Sequence, residues 1–278
     1  MVSNYREDIC CVVLSLGDRY QKLAKVAVNS FKKHNPNIKI FYVDKQEFYK
    51  YSTSKQSFSV GVLKYMLCYE IAKKNNYSRV INLGADTITC AYLSEFIDNI
   101  EYDILATLDY PYTLHSGNFS TPPGDTHLNA DVICFNNLDA LADIIKASEK
   151  HPIYYEQGGL NEIVWSSNKY KTKIVDGPYA ESQIIYNARA KGNIIAAKNT
   201  KPWKPYIQQF RVEDNKLFSF DNKQIKVFHY CEGLGTLDNE KFCELLNYWI
   251  LDWFNEETKK FFKNQCDAGN FFEVKYEV

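Results

Sequence analysis

Short apolar runs alternate with longer stretches of helical spacing along the first half of the chain. The run 9–16 (ICCVVLSL) is almost continuously apolar, which is typical of a strand buried on both faces. The stretch 20–33 instead places its apolar residues three and four positions apart, which predicts an amphipathic helix. The same alternation predicts a second helix over 60–74 and further strands over 38–43, 79–83, 104–108 and 131–135.

Strands that alternate with helices of this length favour an α/β fold with right-handed crossovers and a mostly parallel sheet. Ligands in such sheets bind beyond the carboxyl ends of the strands. We therefore expect the functional residues directly after the predicted strands, at 15–19, Asp44, 84–87 and Asp109.

The C-terminal part has a different pattern. Over 239–265, aromatic and aliphatic residues recur at three- and four-residue spacing, which predicts one strongly amphipathic helix. Packing of its apolar face on the core is the favoured interpretation. A membrane-surface or oligomer contact is the alternative, although the polar face lacks the basic excess that anionic lipids attract.

Composition narrows the classes of protein. The 278 residues carry 33 Lys and Arg against 34 Asp and Glu, and this balance argues against a nucleic-acid-binding protein. No apolar stretch approaches the roughly 20 residues that cross a bilayer, and the polar start, 1–8, is unlike a secretory signal. The eight cysteines include no C-x-x-C pair. We expect a cytoplasmic protein without a transmembrane segment.

Several common catalytic motifs are missing from the sequence. No G-x-G-x-x-G follows the first predicted strand, and no G-x-x-x-x-G-K-[ST] occurs, which argues against dinucleotide dehydrogenases and P-loop NTPases. The G-x-S-x-G elbow of α/β-hydrolases is also absent.

Four polar segments carry the candidate chemistry. They are 84–87 (GADT) after a strand, 127–131 (HLNAD) entering one, 156–162 (EQGGLNE) opening a helix, and 227–233 (VFHYCEG) ending an apolar run. A carboxylate after a strand suits a hard cation, and a neutral imidazole is a suitable further ligand. Taken singly, each segment also fits a turn, a strand start, a helix N-terminus or a structural histidine.

Taken in order, with the loop after the first strand, these segments resemble glycosyltransferase family 8. That family comprises retaining sugar transferases of the GT-A fold, including lipopolysaccharide galactosyl- and glucosyltransferases and glycogenin. The resemblance spans about residues 9–235. It implies a GT-A (Rossmann-like) nucleotide-diphospho-sugar transferase sheet with flanking helices over 1–236, and a C-terminal helical extension, 237–278, packed on it.

The resemblance also implies which residues bind the donor, a UDP-sugar. The loop with Ser15, Leu16 and Tyr20 matches the segment that holds the nucleotide, with Tyr20 near the uracil. Lys64 matches a basic residue that contacts the donor sugar and phosphate, and Asn129 matches one that holds donor hydroxyls.

The implied catalytic residues are Glu156, Gln157 and Asp109. Glu156 and Gln157 match an acidic-Gln pair beside the anomeric carbon, and Asp109 matches a polar residue at the donor sugar. Gln157 is the preferred group opposite the leaving diphosphate, with Glu156 as the alternative nucleophile or orienting group.

The implied metal ligands for Mn²⁺ or Mg²⁺ are Asp86 and His229, where Asp86 matches the second aspartate of an Asp-x-Asp motif. The first aspartate is replaced by Gly84, which removes one carboxylate and should weaken metal binding unless another group substitutes. The family's Lys-Pro-Trp after the histidine is missing as well.

The predicted function is transfer of a hexose from a UDP-sugar to a sugar or other hydroxyl acceptor with retention of configuration. A catalytically weakened or inactive nucleotide-sugar-binding relative is the alternative that Gly84 favours. A nucleotidyltransferase is a further alternative, but the loop after the first strand matches that class poorly.

Overall fold

Two β-sheets with flanking helices organise the chain in the computed structural model, which describes residues 5–16, 18–44, 48, 60–108, 128–150, 155–175, 183–187, 210–219, 222–229 and 255–266. The strands are β1 (Ile9–Leu14), β2 (Lys39–Val43), β3 (Arg79–Leu83), β4 (Thr87–Thr89), β5 (Ile104–Leu108), β6 (Leu128–Phe135), β7 (Thr172–Ile174), β8 (Gln183–Asn187), β9 (Arg211–Glu213), β10 (Lys216–Phe218) and β11 (Gln224–His229). The helices are α1 (Asp18–His34), α2 (Val60–Lys74), α3 (Ser94–Ile97), α4 (Leu138–Lys150), α5 (Tyr155–Ser166) and α6 (Glu256–Cys266).

The larger sheet has the strand order β2-β1-β3-β6-β5-β7. β1 is parallel to β2 and β3, and β5 is parallel to β7, so the predicted parallel character is confirmed for most of the sheet. β6 is the exception, because it runs antiparallel to both β3 and β5. Its first residues therefore lie at the edge where the parallel strands end.

The smaller sheet was not predicted. It has the order β4-β11-β10-β9, and β8 pairs with β11 in parallel. β4 and β11 are antiparallel, with His229 opposite Thr87. This register brings the end of a late strand to the turn that follows β3.

The apolar runs form strands in the core of the protein. Every residue of β1 and β3 is buried, as expected for strands covered on both faces. On one side of the sheet α4 and α5 pack closely, since a Cβ added to Gly159 would lie 2.5 Å from the backbone nitrogen of Ser148 and 2.8 Å from its Cα. Glycine is therefore needed where these two helices meet.

The C-terminal helix α6 packs on the smaller sheet. The ring of Phe262 is fully buried, and its centroid lies 4.8 Å from that of Phe228 in β11. Asn255 donates a 2.7 Å hydrogen bond to the carbonyl of Phe210 just before α6 begins. This agrees with the end of the predicted helix 239–265, while residues 239–254 lie outside the described residues. In the described part of the chain, no helix is both long enough and apolar enough to cross a bilayer.

Candidate active site

A pocket of about 410 Å³ opens beyond the carboxyl ends of β1 and β3. Its apolar wall comes from strand ends and the turn after β3, and its polar wall comes from four charged side chains. The lining residues are Leu14, Leu16, Gly61, Lys64, Leu83, Gly84, Ala85, Asp86, Asp131 and Glu156. The pocket lies where the sheet topology predicts a ligand site.

The turn after β3 presents the first of these charged groups. The Gly84 amide donates a 2.8 Å hydrogen bond to the carbonyl of Asp131, and the Thr87 hydroxyl donates one of 2.8 Å back to the Gly84 carbonyl. These bonds connect the turn to β6 and close it on itself. As a result Asp86 is held at the pocket with only 8% of its surface exposed.

His229 reaches the same point from the smaller sheet. It is the last residue of β11, and its register opposite Thr87 places its ring beside Asp86. The distance from His229 Nε2 to Asp86 Oδ1 is 3.2 Å. Two neighbouring ligands of one cation, each bound at about 2.1 Å, lie about 3.0 Å apart, so this pair fits two coordination positions of a divalent cation.

Asp131 is a site residue that the sequence analysis missed. One of its carboxylate oxygens contacts the Lys64 ammonium, and the other lies 3.6 Å from His229 Nε2. The segment 127–131 was singled out, but only Asn129 received a role. The missing information was the direction of β6, because an antiparallel strand delivers its start, and hence Asp131, to this edge.

Lys64 lies on α2 between two carboxylates. Its ammonium contacts Asp131 and is 4.0 Å from Glu156 Oε1, with 11% of the side chain exposed. Burial lowers the pKa of Lys64, but Asp131 and Glu156 more than offset this, so the net pKa is raised. Lys64 therefore carries a positive charge throughout the physiological pH range.

Glu156 stands at the start of α5 with 20% of its side chain exposed. Burial raises the pKa of this carboxyl group, Lys64 lowers it, and Asp131 raises it, with a net upward shift. Gly61 on α2 makes room for the group, because a Cβ there would overlap the Glu156 carboxyl atoms. Glu156 is thus a partly desolvated carboxyl group that faces the pocket.

A solved structure of a sugar transferase shares this architecture. The galactosyltransferase LgtC, in complex with donor and acceptor sugar analogues, aligns with a TM-score of 0.50 and 13% identity over 93% of this chain and 95% of that chain. The chain has the GT-A glycosyltransferase fold. The glycosyltransferase GlyE of Streptococcus pneumoniae TIGR4 aligns with a TM-score of 0.47 and 14% identity over 98% of this chain and 65% of that chain.

A glycosyltransferase involved in glycosylation of the major capsid of PBCV-1 aligns with a TM-score of 0.42 and 14% identity over 80% of this chain and 94% of that chain. No protein-family model matches the sequence. No curated protein matches it significantly. The predicted GT-A fold is confirmed, and the resemblance to family 8 holds at the level of this fold.

Within the GT-A sheet, the predicted catalytic residue Gln157 and the predicted donor-binding residue Asn129 both hold the backbone of β6. Gln157 donates a 2.8 Å hydrogen bond through Nε2 to the carbonyl of Leu128. Asn129 accepts bonds of 2.8 and 3.0 Å at Oδ1 from the amides of Asp131 and Val132. Both side chains therefore fix the strand start that carries Asp131, and their contacts with a donor remain predictions.

The residues predicted to hold the nucleotide are described in part. Leu16 lines the pocket, and the neighbouring Ser15 is fully buried. Among the described residues its hydroxyl has no hydrogen-bond partner. Tyr20 lies in α1, but its side chain is outside the described part, as is the whole of Asp109. The roles predicted for Tyr20 and Asp109 stay predictions.

The described lining residues have an excess of negative charge. Asp86, Asp131 and Glu156 face a single ammonium group, that of Lys64. An anionic ligand would be repelled by these carboxylates unless a cation came with it, because the Coulomb energy of two unit charges about 4 Å apart near a protein surface reaches several kcal/mol. The charge pattern therefore favours a cation, and an anionic ligand only together with one.

Proposed function

We propose that this protein is a glycosyltransferase that moves a hexose from a UDP-sugar to a hydroxyl acceptor with retention of configuration. One observation carries the proposal. Asp86, His229, Lys64 and Glu156 come from four separate segments of the chain, yet they converge on one region of a GT-A fold. The resemblance to family 8 implies roles at the metal, the donor and the anomeric carbon for these same residues.

The diphosphate of the donor is the anion that suits this charge pattern. Asp86 and His229 would hold Mn²⁺ or Mg²⁺ through an oxygen and a nitrogen that already lie 3.2 Å apart. The cation would act as a Lewis acid that neutralises the charge developing on the departing diphosphate. Metal dependence follows from the charges, since three carboxylates would otherwise oppose donor binding.

Lys64 supplies the permanent positive charge at this site. Its raised pKa keeps it protonated, and only 11% of its side chain is exposed. A compact ammonium interacts with phosphate oxygens as a point charge. In our proposal Lys64 contacts the donor phosphate, with Asp131 and Glu156 orienting it.

Glu156 is the better candidate for the group at the anomeric carbon. It lines the pocket, whereas the amide nitrogen of Gln157 is bound to the Leu128 carbonyl. An ionised carboxylate stabilises the positive charge that develops on the sugar in both retaining routes, covalent or same-face. The geometry thus favours Glu156 over Gln157, the residue that the sequence analysis preferred.

The proposal is tested by ligand binding and turnover together. We expect UDP with Mn²⁺ to raise the melting temperature more than GDP, ADP or CDP with Mn²⁺, because a ligand that binds only the native state stabilises it. We also expect hydrolysis of at least one UDP-hexose, and its abolition by EDTA.

Asp86→Asn and His229→Ala should each remove both the Mn²⁺-dependent thermal shift and most of the turnover. Full activity of both variants in excess EDTA would refute the metal part. UDP binding without turnover over a panel of donors and acceptors would instead support an inactive nucleotide-sugar-binding protein.

The proposal also places the protein in the cytoplasm. Five cysteines in the described residues are buried free thiols, namely Cys10, Cys11, Cys68, Cys90 and Cys134. Cytoplasmic proteins keep their cysteines reduced. Fractionation of cells that express a tagged chain would test the location.

A further inference from the structure

Asp131 is the third ionisable group beside the Asp86–His229 pair. Its Oδ2 lies 3.6 Å from His229 Nε2, and its Oδ1 is held by Lys64. The two oxygens therefore face different partners, one an ammonium and one the imidazole. A carboxylate arranged in this way can bind a cation through Oδ2 without releasing Lys64.

The distances from His229 Nε2 to the two carboxylates are compatible with side chains that bind one cation. With bonds of about 2.1 Å, two ligands of one cation lie between about 3.0 Å (neighbouring) and about 4.2 Å (opposite) apart. Both the 3.2 Å and the 3.6 Å distances from His229 Nε2 lie inside this range. Among the described residues no three such side chains are already arranged to hold a metal ion, so a three-ligand site would form only with side-chain movement.

Gly84 explains why Asp131 fits at this place. A Cβ added at Gly84 would lie 3.1 Å from the Cβ of Asp131 and 3.0 Å from Oδ1 of Asp86. The backbone cannot easily open, because the Gly84 amide is bonded to the Asp131 carbonyl at 2.8 Å. The site thus has room for a carboxylate from position 131 or from position 84, but not for both in their present geometry.

We propose that Asp131 supplies the third side-chain ligand of the divalent cation, in place of the carboxylate that Gly84 lacks. This inference rests on the proposed function, which brings the cation to the site with the donor diphosphate. The metal site would then have two carboxylates and one imidazole, the ligand number expected from an Asp-x-Asp motif with a histidine, although one carboxylate comes from a different strand.

The test measures metal binding directly. Titration of Mn²⁺ in the presence of UDP, followed by the electron paramagnetic resonance signal of free Mn²⁺, gives a Kd for wild type, Asp131→Asn and Glu156→Gln. Asp131→Asn should weaken Mn²⁺ binding about tenfold or more, since even the loss of an outer-sphere partner costs about 10–100-fold. Glu156→Gln is the matched control, because it also removes one carboxylate beside Lys64 but leaves the Asp86–His229 pair untouched.

Moving the carboxylate from position 131 to position 84 distinguishes metal ligation from a general effect of charge. Asp131→Gly should weaken binding as much as Asp131→Asn, and the double variant Gly84→Asp/Asp131→Gly should recover most of the wild-type affinity. Circular dichroism and melting temperature establish that each variant is folded, and the double variant carries the test if a single one is not.

Equal losses in Asp131→Asn and Glu156→Gln, or no recovery in the double variant, would overturn the inference and leave the proposed function standing. Absence of Mn²⁺–UDP binding in wild type would overturn both.

Discussion

Adding a single methyl group at Gly61, in the variant Gly61→Ala, should lower the activity without lowering the stability of the fold. Gly61 lies in the first turn of α2, and a Cβ there would overlap the carboxyl group of Glu156. The Cβ would lie 1.8 Å from the carboxyl carbon, and non-bonded carbon atoms approach to about 3.5–4.0 Å, so in Gly61→Ala the Glu156 carboxyl must retreat by about 1.7 Å or more. The retreat is easy, because the overlapping atoms are the far end of a flexible side chain.

The two expected effects of Gly61→Ala have opposite signs. A misplacement of about 1 Å at a reacting group can cost about 100-fold in rate, which is about 2.7 kcal/mol in activation free energy. Stability should be unchanged or higher, since alanine is favoured over glycine in a helix by up to about 1 kcal/mol. The assay is kcat for the best UDP-sugar, beside the melting temperature of the donor-free protein.

A double-mutant cycle identifies the cause. In a Glu156→Ala background, Gly61→Ala should cost little further activity, because the displaced carboxyl group is already gone. Wild-type kcat in Gly61→Ala would refute the assignment of Glu156 to the anomeric carbon. A large additional loss in the Glu156→Ala background would show that the methyl group acts through another residue.

Three further predictions concern pH and packing. Because burial raises the pKa of Glu156 and its ionised form is needed, kcat should fall with decreasing pH at a value above that of an ordinary glutamate, and Glu156→Gln should remove this limb from its residual rate. Because the pKa of Glu156 is raised in the folded state, its protonation stabilises the fold below the unfolded-state pKa, and this contribution is lost as the pH rises through the folded-state pKa. Compared with wild type at the same pH, Glu156→Gln should therefore gain more stability in urea unfolding at neutral pH than at pH 4. Gly159→Ala should destabilise the protein by about 1–3 kcal/mol in urea unfolding, since its Cβ meets the Ser148 backbone, and an unchanged midpoint would contradict the packing described for α4 and α5.

The elements whose bounds the sequence predicted best have either a continuously apolar pattern or a clear helical period. The predicted bounds of α2, β3 and β5 agree with the structure because a continuous apolar run or a long helical period marks both ends. The predicted strand 131–135 begins three residues earlier, at Leu128. The smaller sheet was missed because β4, β9 and β10 have three residues each, too few for an alternating pattern to stand out.

The candidate site was predictable only where its residues follow strands or match motifs. Asp86, His229, Lys64 and Glu156 were named in this way. Asp131 was not, because an apolar run has the same composition whichever way the strand runs, and only the sheet pairing reveals that β6 is reversed. The preference for Gln157 over Glu156 likewise could not anticipate the hydrogen bond from Gln157 to Leu128.

The reversal of β6 also has a consequence for the connection between β5 and β6. Leu108 and Leu128 are register partners on neighbouring antiparallel strands, so the segment 109–127 leaves the sheet and returns to it at adjacent points. Both ends of this segment are thus held by the strand pairing. An exchange of residues 110–127 that keeps Asp109 would therefore change the chain between two strand ends while the described residues of the pocket remain those of the parent protein.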